Sequence, residues 1–136
     1  GIKLWSLQDT DAEPRLLEGH RGVVNRLVFT PDSTTLVSCS RDKTTRIWDV
    51  ASGRERFVLE GHRAPVNGLA VSPDGTLVAT ASEDQSVKIW SLAEGKTLHR
   101  IVAQDTMRAM HTVLFTPDGR GIIANGSQGG LQVYTP

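Results

Sequence analysis

The chain has 136 residues, with 15 Lys+Arg against 15 Asp+Glu, 38% hydrophobic residues, 13 Gly, 6 Pro and one Cys. That is one domain's worth of chain, and its balanced charge gives no electrostatic warrant for nucleic-acid or anionic-membrane binding, which draws on a surplus of Lys and Arg. Cys39 has no disulfide partner and no neighbouring soft ligand, so it reads as a small buried residue of a reducing, intracellular compartment, and no apolar run approaches the ~20 residues of a membrane span.

Taken in chain order, Gly1-Ile2-Lys3-Leu4-Trp5 opens without a starting Met, a basic leader or a cleavage site, and reads as a chain cut in mid-structure. Short β-branched or aromatic runs follow at Val24, Leu27 and Phe29, at Leu36-Val37, and at Ile47-Trp48, each with the period and composition of a strand. Turn chemistry separates them. Pro31-Asp32-Ser33, Pro73-Asp74-Gly75 and Pro117-Asp118-Gly119 suit tight turns because Pro presets the backbone while Asp and Gly accept turn conformations cheaply. Ser52-Gly53 and Glu94-Gly95 mark a second turn. No long segment keeps a helical apolar stripe free of such breakers, so the fold class is all-β.

These runs repeat. Leu17-Glu18-Gly19-His20-Arg21 lies over Leu59-Glu60-Gly61-His62-Arg63 at an offset of 42, and the same offset carries Arg46-Ile47-Trp48 onto Lys88-Ile89-Trp90. A third, looser copy stands at an offset of 44, with Thr116-Pro117-Asp118-Gly119 under Ser72-Pro73-Asp74-Gly75 and Gln132-Val133-Tyr134 under Lys88-Ile89-Trp90. The opening Ile2 to Leu7 matches Val87 to Leu92, so the chain begins late in a unit.

A unit of about 42 residues with four short strands, Gly-His near its start and Trp-Asp near its end resembles the WD-repeat family of β-propellers. Gly19-His20, Asp42 and Trp48-Asp49 carry the resemblance in one copy, and Gly61-His62, Asp84 and Trp90-Ser91 in the next, with Ser91 where the family has Asp. The family's strand order predicts strands near 23–30, 35–40, 45–50 and 55–60, then 65–72, 77–82, 87–92 and 97–103, then 110–116, 121–126 and 130–135. The organisation that follows is the end of a preceding blade over 1–20 (its third and outer strands), a blade over 21–60, a blade over 61–103, and a divergent, incomplete blade over 104–136. Thirteen strands do not make whole blades, and a ring typically needs at least four blades. The expectation is therefore a portion of a longer propeller, completed by its remaining blades, with a self-associating partial propeller as the rival.

His20, Ser38 and Asp42, like His62, Thr80 and Asp84, have the composition of a catalytic triad. A nucleophile, however, needs one exposed hydroxyl with its own base and oxyanion donors, whereas this set recurs with fixed spacing beside Trp48 and Trp90. The resemblance implies a structural hydrogen-bond network of Trp, Ser or Thr, His and Asp. In the third unit Thr106, Ala124, Gln128 and Tyr134 stand at the corresponding places, so its network is expected to be missing, and the blade reads as a degenerate one held by its neighbours. The sharper reading makes that blade a ligand site near Met107, Met110 and His111.

The four histidines lack metal-ligand spacing, Gly126-Ser127-Gln128-Gly129-Gly130 lacks the helix and Lys of a phosphate loop, and Arg41, Lys43 and Arg46 read as a solvated strand edge. No cofactor, metal or catalytic residue is expected. The reading is a non-enzymatic scaffold that binds other proteins or peptides, with no membrane partner and nucleic acid disfavoured. The alternative is a portion of a propeller whose enzymatic or nucleic-acid role resides in residues elsewhere. The family resemblance places the binding face at the loops before each inner strand and after each second strand, which selects Val23, Asn25 and Arg41, then Pro65, Asn67 and Glu83, with Ala109, His111 and Ser127 at roughly equivalent places. The Asn side chains are expected there to offer donors and acceptors to a peptide.

Overall fold

The computed structural model describes residues 1–103 and 109–127, and the backbone of 131–134. Within them every regular element is a strand: β1 (Ile2–Leu4), β2 (Arg15–Leu17), β3 (Val24–Phe29), β4 (Thr35–Ser40), β5 (Thr45–Asp49), β6 (Glu55–Leu59), β7 (Val66–Val71), β8 (Leu77–Ser82), β9 (Ser86–Ser91), β10 (Lys96–Val102), β11 (Met110–Phe115), β12 (Ile122–Gly126) and β13 (Leu131–Tyr134). They form antiparallel sheets in the orders β1-β2, β3-β4-β5-β6, β7-β8-β9-β10 and β11-β12-β13. The all-β propeller architecture expected from the repeat is the one found.

The second strands explain why simple alternation is hard to see in this sequence. β4 is buried at every position and β8 at all but its first, because each lies mid-sheet with a neighbouring sheet on both faces. Three apolar seams result. Ile2 and Leu17 of the opening pair meet Leu36 and Trp48. Val37, Cys39, Ile47 and Leu59 of the first full blade meet Val66, Leu69, Val78 and Trp90 of the second. Ala70, Ala79, Ala81 and Ile89 of the second meet Met110, Val113 and Ile122 of the third. Each fully buried Val, Leu or Met in a seam contributes about 1.5–3 kcal/mol. Cys39 lies in the second seam with no exposed surface, and burial pushes its thiol pKa up to about 12.

The Pro-Asp turns between first and second strands are built alike in all three blades. Asp32 Oδ1 accepts from Thr30 Oγ1 (2.6 Å), Thr34 N (3.0 Å) and Thr34 Oγ1 (2.8 Å), Asp74 repeats all three bonds with Ser72 and Thr76, and Asp118 repeats two of them with Thr116 Oγ1 and Arg120 N. The third turn position is left-handed throughout, at φ 62° for Ser33, 73° for Gly75 and 71° for Gly119.

One connection and one strand depart from simple expectation. The β1–β2 link runs through residues 5–14, longer than the short turns elsewhere, with Ser6 Oγ accepting from the backbone N–H of Gln8 and Asp9 at 3.2 Å. Arg15, at its end, donates from Nη1 to Val50 O (2.7 Å) and Ala51 O (2.5 Å), clamping the next blade's outer turn. Strand β10 carries a register shift between Thr97 and His99. It is exposed along almost its whole length.

Candidate functional site

The hydrogen-bonded side chains of the first two blades form a relay that joins four elements. Trp90 Nε1 donates to Thr80 Oγ1 (2.9 Å), Thr80 Oγ1 lies 2.7 Å from His62 Nε2, and His62 Nδ1 lies 2.8 Å from Asp84 Oδ2. An ionised Asp84 only accepts, which puts the imidazole proton on Nδ1, leaves Nε2 to accept the Thr80 hydroxyl proton, and leaves the Thr80 oxygen free to accept from the indole. Every donor points the same way along the chain. In the neighbouring blade Trp48 Nε1 donates to Ser38 Oγ (2.8 Å), which lies 2.7 Å from His20 Nε2, and His20 Nδ1 lies 2.8 Å from Asp42 Oδ2.

Each Asp also organises the loop end of its blade. Asp84 accepts from the backbone N–H of Arg63 (3.0 Å) and Ser86 (3.0 Å) and from Ser86 Oγ (2.5 Å); Asp42 accepts likewise from Arg21 N, Thr44 N and Thr44 Oγ1. Burial by itself would raise both carboxyl pKa values, but the bonds from Ser86, Arg63 and His62 hold Asp84 down at about 2, and those from Thr44, His20 and Arg21 hold Asp42 well below the usual carboxylate range. Burial lowers the His62 pKa, against the opposing pull of Asp84, so its imidazole is neutral near pH 7. Ser38 and Thr80 have no exposed surface, so neither hydroxyl meets a substrate.

Sequence reasoning missed the residue two places before each Trp. Arg46, read above as part of a solvated edge, is half-buried, pairs with Glu55 and lies against Gly19, where a Cβ would collide with its guanidinium. Lys88, its repeat-mate, is 8% exposed, donates from Nζ to Gly61 O (2.8 Å) and sits 5.4 Å from the Trp90 ring centroid. Burial lowers its pKa. The Lys88 cation on its long apolar stem thus lids the Trp90 indole, and in both blades the Gly of Gly-His leaves room for the long side chain. Gly61, at φ 138°, also adopts backbone that side chains disfavour. The signal was legible as Arg46 and Lys88 at equal spacing from Trp.

The third blade has Ala124, buried and without a hydroxyl, at the place of Ser38 and Thr80. Thr106, Met107, Gln128 and the Tyr134 side chain lie outside the described residues. Among the described residues no three His, Cys, Asp or Glu side chains gather as a metal site requires.

At the loop end, Arg41 N donates to Val23 O (2.9 Å), Glu83 N to Pro65 O (3.0 Å) and Ser127 N to Ala109 O (2.9 Å), so all three blades, the divergent one included, tie the same two loops together. The side chains of Arg41, Glu83 and His111 are exposed, Val23 is 63% exposed, and Pro65 is half-buried. The two Asn side chains do not stand free as the sequence suggested. Asn25 Nδ2 donates to Val66 O (2.8 Å) and Asn67 Oδ1 (3.2 Å), and Asn67 Nδ2 donates to Glu83 Oε1 (3.2 Å). Their amides bridge the seam between blades, since the start of each inner strand faces the next.

Sheets of this order, stacked face to face with the same relay in both four-stranded sheets, define a β-propeller built of WD-type units. The family described as "WD domain, G-beta repeat" matches residues 13–49 and 53–91, more than half of the chain, and the chain belongs to this family. Nuclear distribution protein PAC1 of Komagataella phaffii is 42% identical over 55 residues, covering 38% of this chain and 11% of that protein. Small ribosomal subunit protein RACK1y of Oryza sativa subsp. japonica is 38% identical over 53 residues, covering 39% of this chain and 16% of that protein. Among solved structures, the RRP9 WD40 repeats superpose with a TM-score of 0.84 at 25% identity, over 89% of this chain and 38% of that one. The chain thus spans a small part of the curated relatives it matches. WD-repeat relatives generally act as protein-interaction scaffolds.

Proposed function

We propose that this chain contributes part of a protein-binding face, at the loop end of its blades, to a non-catalytic intracellular scaffold. The observation that carries the reading is the pair Arg41 and Glu83. They occupy the same position in adjoining tight turns, carry opposite charges, and project exposed side chains from loops that the relay and the Val23 and Pro65 carbonyls hold in place. Opposite charges flanking the apolar Val23 and Pro65 suit a peptide or protein loop with a mixed surface better than a phosphate backbone. Rigid loops lose little entropy on binding.

The test is selection of a displayed random-peptide library on the immobilised chain. Binding of the selected peptides is expected to fall at least tenfold with Arg41→Glu and Glu83→Lys, with the melting temperature little changed, and to survive charge reversal of Arg54, Glu55 and Arg56 on the outer rim. Peptides that ignore the first two substitutions and fail on the rim variants would place the binding face elsewhere.

A further inference from the structure

The two full blades place a cation at the same point of their third strands but balance it differently. In the first, Arg46 pairs with Glu55, which stands opposite Trp48 on the outer strand, and the residue opposite Arg46 itself is the uncharged Val58. In the second, Thr97 stands opposite Trp90 and Arg100 opposite Lys88, so the carboxylate is gone and a second cation is added. Like charges directly opposite on one face of a sheet repel. Arg63, the residue after His62, supplies a third: burial lowers the Lys88 pKa, and Arg100 and Arg63 lower it further against the pull of Asp84. Lys88 is 8% exposed, and its acceptor is the Gly61 carbonyl at 2.8 Å; its other ammonium protons have no acceptor among the described residues. Asp84 is already engaged with His62, Arg63 and Ser86. Glu60, in the same linker, is exposed and pairs with none of the three cations, since the ion pairs among the described residues are His20 with Asp42, Arg46 with Glu55 and His62 with Asp84.

We infer that Lys88, Arg100 and Arg63, at the outer edge of the second full blade, form a binding site for a carboxylate carried by an acidic segment of another protein. The first blade shows the chemistry the position takes. There the strand cation receives its carboxylate in cis from Glu55, whereas in the second blade the short Thr97 leaves that place to a side chain from elsewhere. Thr97, Arg100 and Arg63 are exposed, so an incoming chain reaches the site from solvent. Lys88 is held by the Gly61 carbonyl and lies 5.4 Å from the Trp90 ring centroid, so little further ordering is needed for it to make a charge-assisted hydrogen bond. An apolar segment would leave the buried ammonium unmatched. A nucleic-acid backbone draws on a surplus of cations that a chain of zero net charge does not offer. The site lies on the two outermost strands and the linker, not on the tight turns that carry Arg41 and Glu83, and is a second surface beside the loop face.

The site is tested by titrating the chain with an octapeptide of glutamate, blocked at both ends, and following the backbone amides of Lys88 and Arg100 and the Trp90 indole N–H by NMR. Saturable shifts are expected at these groups, and none with the matching glutamine octapeptide. Arg100→Gln and Lys88→Met, the second keeping the apolar stem, should each weaken binding about tenfold, the scale of one lost hydrogen bond between charged groups. Thr97→Glu should weaken it as much by another route, because it supplies in cis the carboxylate that Glu55 supplies to Arg46, and it should raise the melting temperature. Thr97 and Arg100 are exposed, so their variants carry the test if Lys88→Met does not fold. Arg41→Glu should leave the titration unchanged, which separates this site from the loop face. The inference is overturned by an absence of shifts at these groups, by equal shifts with the glutamine peptide, by binding that persists in both Thr97→Glu and Arg100→Gln, or by binding lost in Arg41→Glu. It is overturned as well if inorganic phosphate fills the site and the glutamate peptide does not, which would make a phosphoryl group the ligand.

Discussion

Asp84 receives four hydrogen bonds, from His62 Nδ1, Arg63 N, Ser86 N and Ser86 Oγ, and removing it strands donors rather than deleting a surface charge. Asp84→Ala is expected to cost about 1–3 kcal/mol, the range for leaving buried polar groups unpaired, read as a lower denaturation midpoint at unchanged slope. The same residues set a pH dependence. The His62 pKa is lower in the folded chain than its usual value of about 6.5, so the unfolded state binds more protons as pH falls below that value, and stability drops there. Protonation at Nε2 also removes the acceptor for the Thr80 hydroxyl. Asp84, held down at about 2, has the same sign and adds a second loss as pH falls from about 4 toward 2. Melting temperatures should therefore decline as pH is taken from 7 to 3, and Asp84→Asn should reduce the part of the decline below pH 4, the remainder coming from carboxyls such as Asp42 whose pKa is also lowered. The four relay positions were legible because identical spacing in two copies is hard to reconcile with a unique active site. Arg46 and Lys88 were not singled out, because a Lys or Arg on a strand usually reads as solvated, and only packing shows that Lys88 lies over the Trp90 indole and Arg46 against Gly19.

At the scale of strands, the two complete seams are closed by different means. Asn25 crosses from the first blade to the carbonyl of Val66. At the next seam Gly68, repeat-mate of Arg26, lets β11 approach so closely that a Cβ there would sit 2.9 Å from both Ala81 Cβ and His111 O. Gly68→Arg should then overpack the seam, at a cost of about 1–3 kcal/mol. Amide exchange should accelerate in β11 and β12 while β3 to β6 keep their protection; uniform acceleration, or none, would contradict this assignment. The Pro-Asp turns made the strand order readable, since three copies carry the same residues. The register shift in β10 and the tethering of residues 5–14 carried no such punctuation and depend on pairing with Ser91, Trp90 and the Val50 turn.

For the molecule as a whole, the two ends of the stack are apolar where the middle is not. Leu27 and Phe29 at one end are 49% and 50% exposed, and Leu114 at the other is 57%, whereas Leu69 between blades is covered. Faces of this kind associate. Light scattering of the isolated chain should give a mass above 14.8 kDa that rises with concentration, and Leu27→Gln with Phe29→Thr should lower it; a constant monomer mass would show that the open faces are harmless. By itself the sequence determined the unit, the strand order within it, the turn positions and the paired relays, because each rests on local chemistry repeated at a constant interval. Only the tertiary structure decided which groups remain available. Asn25 and Asn67 are spent on hydrogen bonds to Val66, to each other and to Glu83 while the Arg41 side chain is exposed, Trp5 is open while its two counterparts are buried, and the Lys88 ammonium lies over the Trp90 ring. These outcomes depend on which sheet stacks on which face, and residues equivalent within the repeat differ there because their neighbours across the seam are not the same.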